Sequence, residues 1–426
     1  MIAFTTPIAS AAPATLDDEL GRIISSTYHR LTKPATDIDW VHIHSRAENA
    51  YNAQDYLGAL HILAANHALN TAHLDAPEQQ PIIRLALQLY CHTQVEQLLA
   101  EAQRQANSSA EARLAFELAR FYAANEHWLR VSKLLSDDSI FDQLTKTDRS
   151  EALVLLGSAL QKQKKHRETI RIYGKVNAGS EHFRLAQLNL AAAYIRQDWW
   201  TDAHTAINSA LKENTGKRDA LDYRLFTMLG YSQIQFGFYR DARESFRNVA
   251  IASQYFQRAL LGLGVAALHQ QDFIGALNAF DKLRALPQQD ISTAEAYLLS
   301  AFTLRQLEQF DAATSRYQEA IDYYQKLSAD INAQINSTTP IALHFLRPEH
   351  SADKLLRNNT RKKTLLAALS QASPGAQEAA AIANLQTKLS SETSQHAGNL
   401  LREEKTVIDS YLSQSQFGLA SLYDKK

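Results

Sequence analysis

The sequence predicts an all-α chain built from repeated helical hairpins, and three observations carry that expectation. Glycine (14) and proline (9) are scarce among 426 residues while leucine, alanine and glutamine abound, which favours helix over sandwich, barrel or long disorder. The length exceeds one ordinary hydrophobic core, so several domains or a repeat array must divide it. The same small and aromatic landmarks also return at a fixed interval. Residues 229–246 (LGYSQIQFGFYRDARESF) and 263–280 (LGVAALHQQDFIGALNAF) align Gly230 with Gly264, Ala242 with Ala276 and Phe246 with Phe280, each 34 residues apart.

The hairpins are placed in chain order by these landmarks. Ala47, Ala59 and Leu63 mark the first, and residues 80–105 are expected to hold a degenerate second. Ala119, Val131 and Leu135 mark the next, followed by Gly157, Thr169 and Tyr173, and by Ala191, Ala203 and Ile207. The two glycine copies come next, and Ala301, Ala313 and Tyr317 mark the last. That makes about seven or eight hairpins between residues 40 and 336. A glycine inside a helix costs about 1 kcal/mol relative to alanine. Gly157, Gly230 and Gly264 are therefore expected where the helices of a hairpin cross most closely, so that packing offsets the loss. Phe246 and Phe280 are expected to fill the space toward the following hairpin.

This pattern resembles the tetratricopeptide repeat. The carrying residues are Leu229-Gly230, Tyr239, Ala242 and Phe246, then Leu263-Gly264, Phe273, Ala276 and Phe280. The resemblance covers about two thirds of the chain and departs from the family in lacking the early tryptophan and, in most copies, the closing proline. It implies a right-handed α-solenoid, because one hairpin cannot bury its own apolar face and stability is shared between neighbours. First helices would line a concave groove and second helices would face outward. The groove contacts so implied are Lys162, Arg196, Arg224, Tyr231, Gln235, Arg258, His269 and Arg305. Their basic bias suits an acidic peptide or helix of another protein. Trp199-Trp200 stands at a hairpin turn, where one ring is expected to pack and the other to be exposed.

After the array the chemistry changes. Residues 336–340 (NSTTP), Pro348 and residues 373–375 (SPG) interrupt the helical pattern. Residues 337–426 read as a C-terminal helical region whose second half carries an amphipathic stripe of Leu401, Ile408, Leu412, Leu419 and Leu422. That stripe either caps the last repeat or joins a second copy as a short coiled coil, which would make the chain a homo-oligomer. The run Lys354, Arg357, Arg361, Lys362 and Lys363 reads first as a solvated helix face.

Charge and motifs exclude most other functions. Lys+Arg (44) nearly cancels Asp+Glu (45), so no global field draws nucleic acid. No apolar run is long enough to span a bilayer. The lone Cys91, in QLYCHT, can form no internal disulfide and is expected as a small hydrophobe in an apolar helix. His42, His44, His61, His67 and His73 do not share a helix face, so no metal site is expected. Gly262-Leu-Gly264 lacks the strand and third glycine of a dinucleotide loop, and no catalytic motif or cofactor site is found. The expectation is a non-enzymatic interaction scaffold or a non-catalytic subunit of a cell-wall or secretion complex. Residues 1–12 contain Ala9-Ser10-Ala11, the small-x-small pattern of secretory cleavage, with residues 13–39 as an N-terminal segment. Export to a bacterial periplasm or beyond is the reading this favours, with a cytoplasmic chain as the alternative.

Overall fold

A computed structural model describes residues 15–32, 39–71, 74, 76, 78–287, 289–337, 351–372 and 375–423, with backbone alone over 351–357. The Ala9-Ser10-Ala11 pattern, His73, Pro348, Pro374 and the side chains of Lys354 and Arg357 lie outside this description. Twenty helices and no strand occur among the described residues. A first helix, α1 (Leu16–Leu31), precedes three hairpins: α2/α3 (Trp40–Asn52, Tyr56–Ala65), α4/α5 (Gln79–Gln88, His92–Arg104) and α6/α7 (Ser108–Ala124, Trp128–Leu134). The short α8 (Asp138–Gln143) follows, then α9/α10 (Lys146–Lys162, His166–Tyr173) and α11/α12 (Phe183–Ile195, Trp200–Glu213). Next come α13/α14 (Ala220–Gln235, Tyr239–Arg247), α15/α16 (Phe256–His269, Phe273–Arg284) and α17/α18 (Ile291–Gln306, Phe310–Ile335). Two helices close the chain, α19 (Ser351–Gln371) and α20 (Ala376–Tyr423).

All eight hairpins turn in the same way. Seven residues after the small landmark, one residue enters the left-handed region: Gln54, Tyr90, Glu126, Lys164, Asp198, Gly237, Gln271 and Glu308, with φ between 58° and 79°. The next N–H then donates back to the carbonyl five residues earlier, as from Asp55 to Ala50, Trp199 to Tyr194 and Gln309 to Leu304. This reversed bond satisfies a carbonyl that the helix end would leave orphaned.

The landmarks also share their burial. The slot residues are Ala47, Ile83, Ala119, Gly157, Ala191, Gly230, Gly264 and Ala301. Twelve positions on, Ala59, Val95, Val131, Thr169, Ala203, Ala242, Ala276 and Ala313 are all buried. Sixteen on, the large residues from Leu63 and Leu99 to Phe280 and Tyr317 are buried as well. A β-carbon added at Gly230 would stand 2.6 Å from the Phe246 ring, one at Gly157 2.5 Å from Tyr173, and one at Gly264 2.4 Å from Phe280. The aromatic therefore packs first on its own hairpin. It also meets the next one, since a β-carbon at Gly262 of α15 would lie 2.3 Å from Phe246. The Phe246 ring is thus held between two glycines on successive first helices.

Contacts divide the chain into two units, Met1–Thr145 with Leu355–Glu392, and Lys146–Lys354 with Thr393–Lys426. In the first unit α1 packs on α3 and α5, and the early part of α20 runs antiparallel to α1 through Lys388–Glu19 (2.9 Å) and Arg30–Glu378 (2.7 Å). Asp17 is buried between His127 Nε2 (2.7 Å) and Lys362 Nζ (2.6 Å). Burial alone would raise the Asp17 pKa, but the His127 hydrogen bond and the Lys362 charge overcome it and hold the carboxyl below its ordinary value. Lys362 is thus a buried ion-pair partner and corrects the solvated-face reading of its basic run. Cys91 is buried as expected but caps α5 at the turn rather than sitting inside a helix.

In the second unit, the first helices touch one another in sequence, α9 to α11 to α13 to α15 to α17. Second helices stand farther apart and meet through long side chains, as where Arg316 of α18 pairs with Asp281 of α16, which places the first helices on the inner wall of this stack. At its end, α20 buries Leu401, Ile408 and Leu422 against Tyr317, Tyr324, Leu327 and Ile331 of α18. Gly418 stands to Tyr317 as Gly262 stands to Phe246, with a β-carbon there 2.5 Å from the ring. The late part of α20 therefore occupies the place of the first helix of a following hairpin.

Candidate functional site

The inner wall of the second unit collects the sequence-predicted positions in two rows. Arg224 and Arg258 lie six residues before the small landmark, near the starts of α13 and α15, and both are exposed. Lys162, Arg196, Gln235 and His269 lie five residues after it, at the ends of α9, α11, α13 and α15, and all are exposed. Eleven helical residues separate Arg224 from Gln235, about 16 Å along the axis. The two rows therefore border opposite edges of the wall and do not form one cluster.

Tyr231 sits between the rows and ties neighbouring hairpins together. Its hydroxyl donates to the carbonyl of Arg258 at 2.8 Å, its ring packs edge-on against Phe246 with centroids 5.1 Å apart, and the Arg258 guanidinium lies 5.4 Å from its centroid. Burial raises its phenol pKa, so it acts as a neutral donor. His269 is engaged too, its ring lying parallel to Tyr239 at 4.6 Å. Arg305 donates to Ser421 of α20 at 3.1 Å and lies over the Phe302 ring. The chain's own C-terminal helix already meets this last predicted position.

The electrostatics of the wall change along its length. Arg196, Arg224 and Arg258 form no ion pair among the described residues, whereas Arg243, Arg247, Arg284 and Arg316 of the second helices all do. On α17 the position equivalent to Arg258 is Glu295, whose carboxyl is raised by burial despite the Tyr411 hydroxyl 3.3 Å away. Asp290 is likewise raised by burial although it accepts from the backbone of Ser292 and Thr293.

Sequence reasoning missed a cavity of about 270 Å³ in the first unit, lined in part by Arg84, Tyr90, Glu117, Arg120, Asn358 and Arg361. Buried Glu117 accepts from Arg84 (2.7 Å), Gln80 (3.0 Å) and Arg120 (3.4 Å). Arg84 and Arg120 each follow a landmark directly, as Tyr231 follows Gly230. The signal was the repeat register itself, open for Arg120 after Ala119 but hidden for Arg84 because Ile83 stands where the other copies have alanine or glycine.

The geometry defines a stack of helical hairpin repeats, the architecture that the resemblance to the tetratricopeptide repeat implies. No family model matches the chain, and no curated protein does. Among solved structures it is similar to a tetratricopeptide repeat protein from Parabacteroides merdae, at 15% identity over 67% of this chain and 99% of that one, with a TM-score of 0.40. It is also similar to the APC/C hetero-tetramer Cut9–Hcn1 (14% identity, 88% and 90% covered, TM-score 0.32). A third is Naa15/Naa10 bound to HypK-THB (12% identity, 91% and 64% covered, TM-score 0.37).

Proposed function

We propose that this chain is a non-enzymatic interaction scaffold whose first-helix wall, from α9 to α15, binds an acidic segment of another protein. One observation carries the reading: Arg224 and Arg258 occupy the same repeat position on adjacent first helices, exposed and without an ion pair among the described residues. Guanidinium forks match carboxylates in two parallel hydrogen bonds, and the helical wall holds the backbones that carry them at a fixed spacing. The export reading of Ala9-Ser10-Ala11 places this work in a cell envelope; sequencing the N-terminus of the protein from its native cells tests it. No described helix is long and apolar enough to cross a membrane.

The test is photo-crosslinking in the native cells, with a benzophenone side chain replacing Arg224, Arg258 or, as an outward control, Arg247. The proposal expects one partner protein attached from positions 224 and 258, through a stretch rich in Asp and Glu, and none from 247. Equal adducts from all three positions, or none from the wall, would contradict it.

A further inference from the structure

The turn edge of α11/α12 and α13/α14 breaks a local rule that the other hairpins obey. The residue preceding each second helix is Asp55, Cys91, His127, Lys165, Asp272 or Gln309 elsewhere, polar in all but the buried cysteine. Asp55 and Asp272 use it to accept from the N–H groups of Gly58 (2.8 Å) and Gly275 (2.9 Å), capping α3 and α16. Here the place is taken by Trp199 and Phe238, which stand 45% and 53% exposed; like Cys91, His127, Lys165 and Gln309 they make no side-chain cap bond, and it is their apolar exposure that differs. Phe236, 39% exposed, adds a third ring where the neighbouring hairpins carry Gln197 and Gln270.

Three rings lie together, while Trp199 packs on Tyr194 of its own hairpin with centroids 5.9 Å apart. Phe236 and Phe238 are nearly parallel with centroids 6.3 Å apart, and Trp200 meets Phe236 at 3.9 Å. They border an open cleft of about 780 Å³ whose only charged lining residues are Asp198 and Asp202, neither of them ion-paired among the described residues. His204, also in the lining, has its pKa lowered by burial and bonds Ser232 at 2.9 Å. Large apolar rings left exposed at one turn edge depart from the mostly polar pattern of the other hairpins, and such local conflicts concentrate at functional sites. Ring faces beside two carboxylates are complementary to a cation, above all the flat guanidinium of arginine.

We infer that this cleft is a second docking surface, one that seats an arginine-bearing extended segment of a partner protein, its guanidinium on the Trp199 and Phe238 faces and its charge toward Asp198 and Asp202. It is independent of the acidic segment proposed for the inner wall, so R224A/R258A leaves it intact.

The test titrates the full chain into a fluorescein-labelled peptide alternating arginine and proline, with the glutamate–proline peptide as control, followed by anisotropy. The wild type should bind the arginine peptide and not the glutamate one. The variant W199S/F238S places neutral cap formers at both turns and should keep the helical circular dichroism of the wild type while losing affinity at least about tenfold. D198N/D202N should lose affinity as well, asparagine being tolerated at the left-handed position 198 (φ 58°). No binding by the wild type, unchanged affinity in W199S/F238S, or unchanged affinity in D198N/D202N would each overturn the inference. So would a concentration-dependent doubling of mass abolished by W199S/F238S, since a second copy would then be the occupant.

Discussion

Gly230→Ala decides whether the small landmarks are packing devices. Helix propensity alone predicts that the substitution stabilises by about 1 kcal/mol. The structure predicts the opposite sign. The new methyl would meet the Phe246 ring at 2.6 Å, about 1 Å inside normal carbon contact. That ring is 1% exposed and cannot retreat, because a β-carbon at Gly262 on its far side would approach to 2.3 Å. Overpacking of this kind costs about 1–3 kcal/mol, so the net change is a loss of up to about 2 kcal/mol once propensity is subtracted. Urea denaturation followed by circular dichroism reads it as a lower midpoint at unchanged slope. Phe246→Leu combined with Gly230→Ala should cost less than the two single changes summed, since each relieves the other. A midpoint that rises for Gly230→Ala alone would refute the reasoning.

Further outcomes follow from the same packing. Lys362→Met leaves Asp17 buried with one partner fewer and should cost about 3 kcal/mol in the first unit, most of it recovered by Asp17→Asn in the same chain; hydrogen exchange across α1 reads both. Because the folded Asp17 pKa lies below the unfolded value of 3.8, its contribution is complete above that pH and disappears as pH falls through the folded value. Asp219, held at about 2 by its hydrogen bond from Arg184, should lose its smaller, half-exposed contribution between 3.8 and about 2. Glu295 has the reverse sign: its folded pKa is raised, so stability declines as pH rises from 4.5, and Glu295→Gln should melt higher than the parent at pH 7. Deleting residues 393–426 should uncover Tyr317, Tyr324, Leu327 and Ile331 and increase ANS fluorescence.

The repeat was legible where its chemistry stayed small. Gly157, Gly230 and Gly264 announce themselves because a helix tolerates glycine only for a packing reason, and the structure puts all three against an aromatic of the same hairpin. Ile83 fills the slot with a branched side chain, so residues 80–105 lost their register and Arg84 went unread with it. The role of Gly418 was hidden for another reason: its partner Tyr317 lies far away in sequence, and no local period connects them. The same holds for Lys362, whose charge looks solvated until α1 brings Asp17 to it. Of the candidate site, residue types and helix faces could be inferred, but not which side chains were already engaged. His269 and Arg305 are committed to Tyr239 and Ser421, while Arg224 and Arg258 stay free of ion pairs among the described residues.

The most direct test of the inner wall is the dissociation constant of the crosslinked acidic segment for the wild-type chain and for R224A/R258A, each at low and high salt. Two charge-assisted contacts of about 1.5–3 kcal/mol apiece predict at least about a hundredfold loss in the variant, together with a shallower salt dependence. An affinity unchanged within about twofold, or a salt dependence that persists in full without the two arginines, would contradict the account.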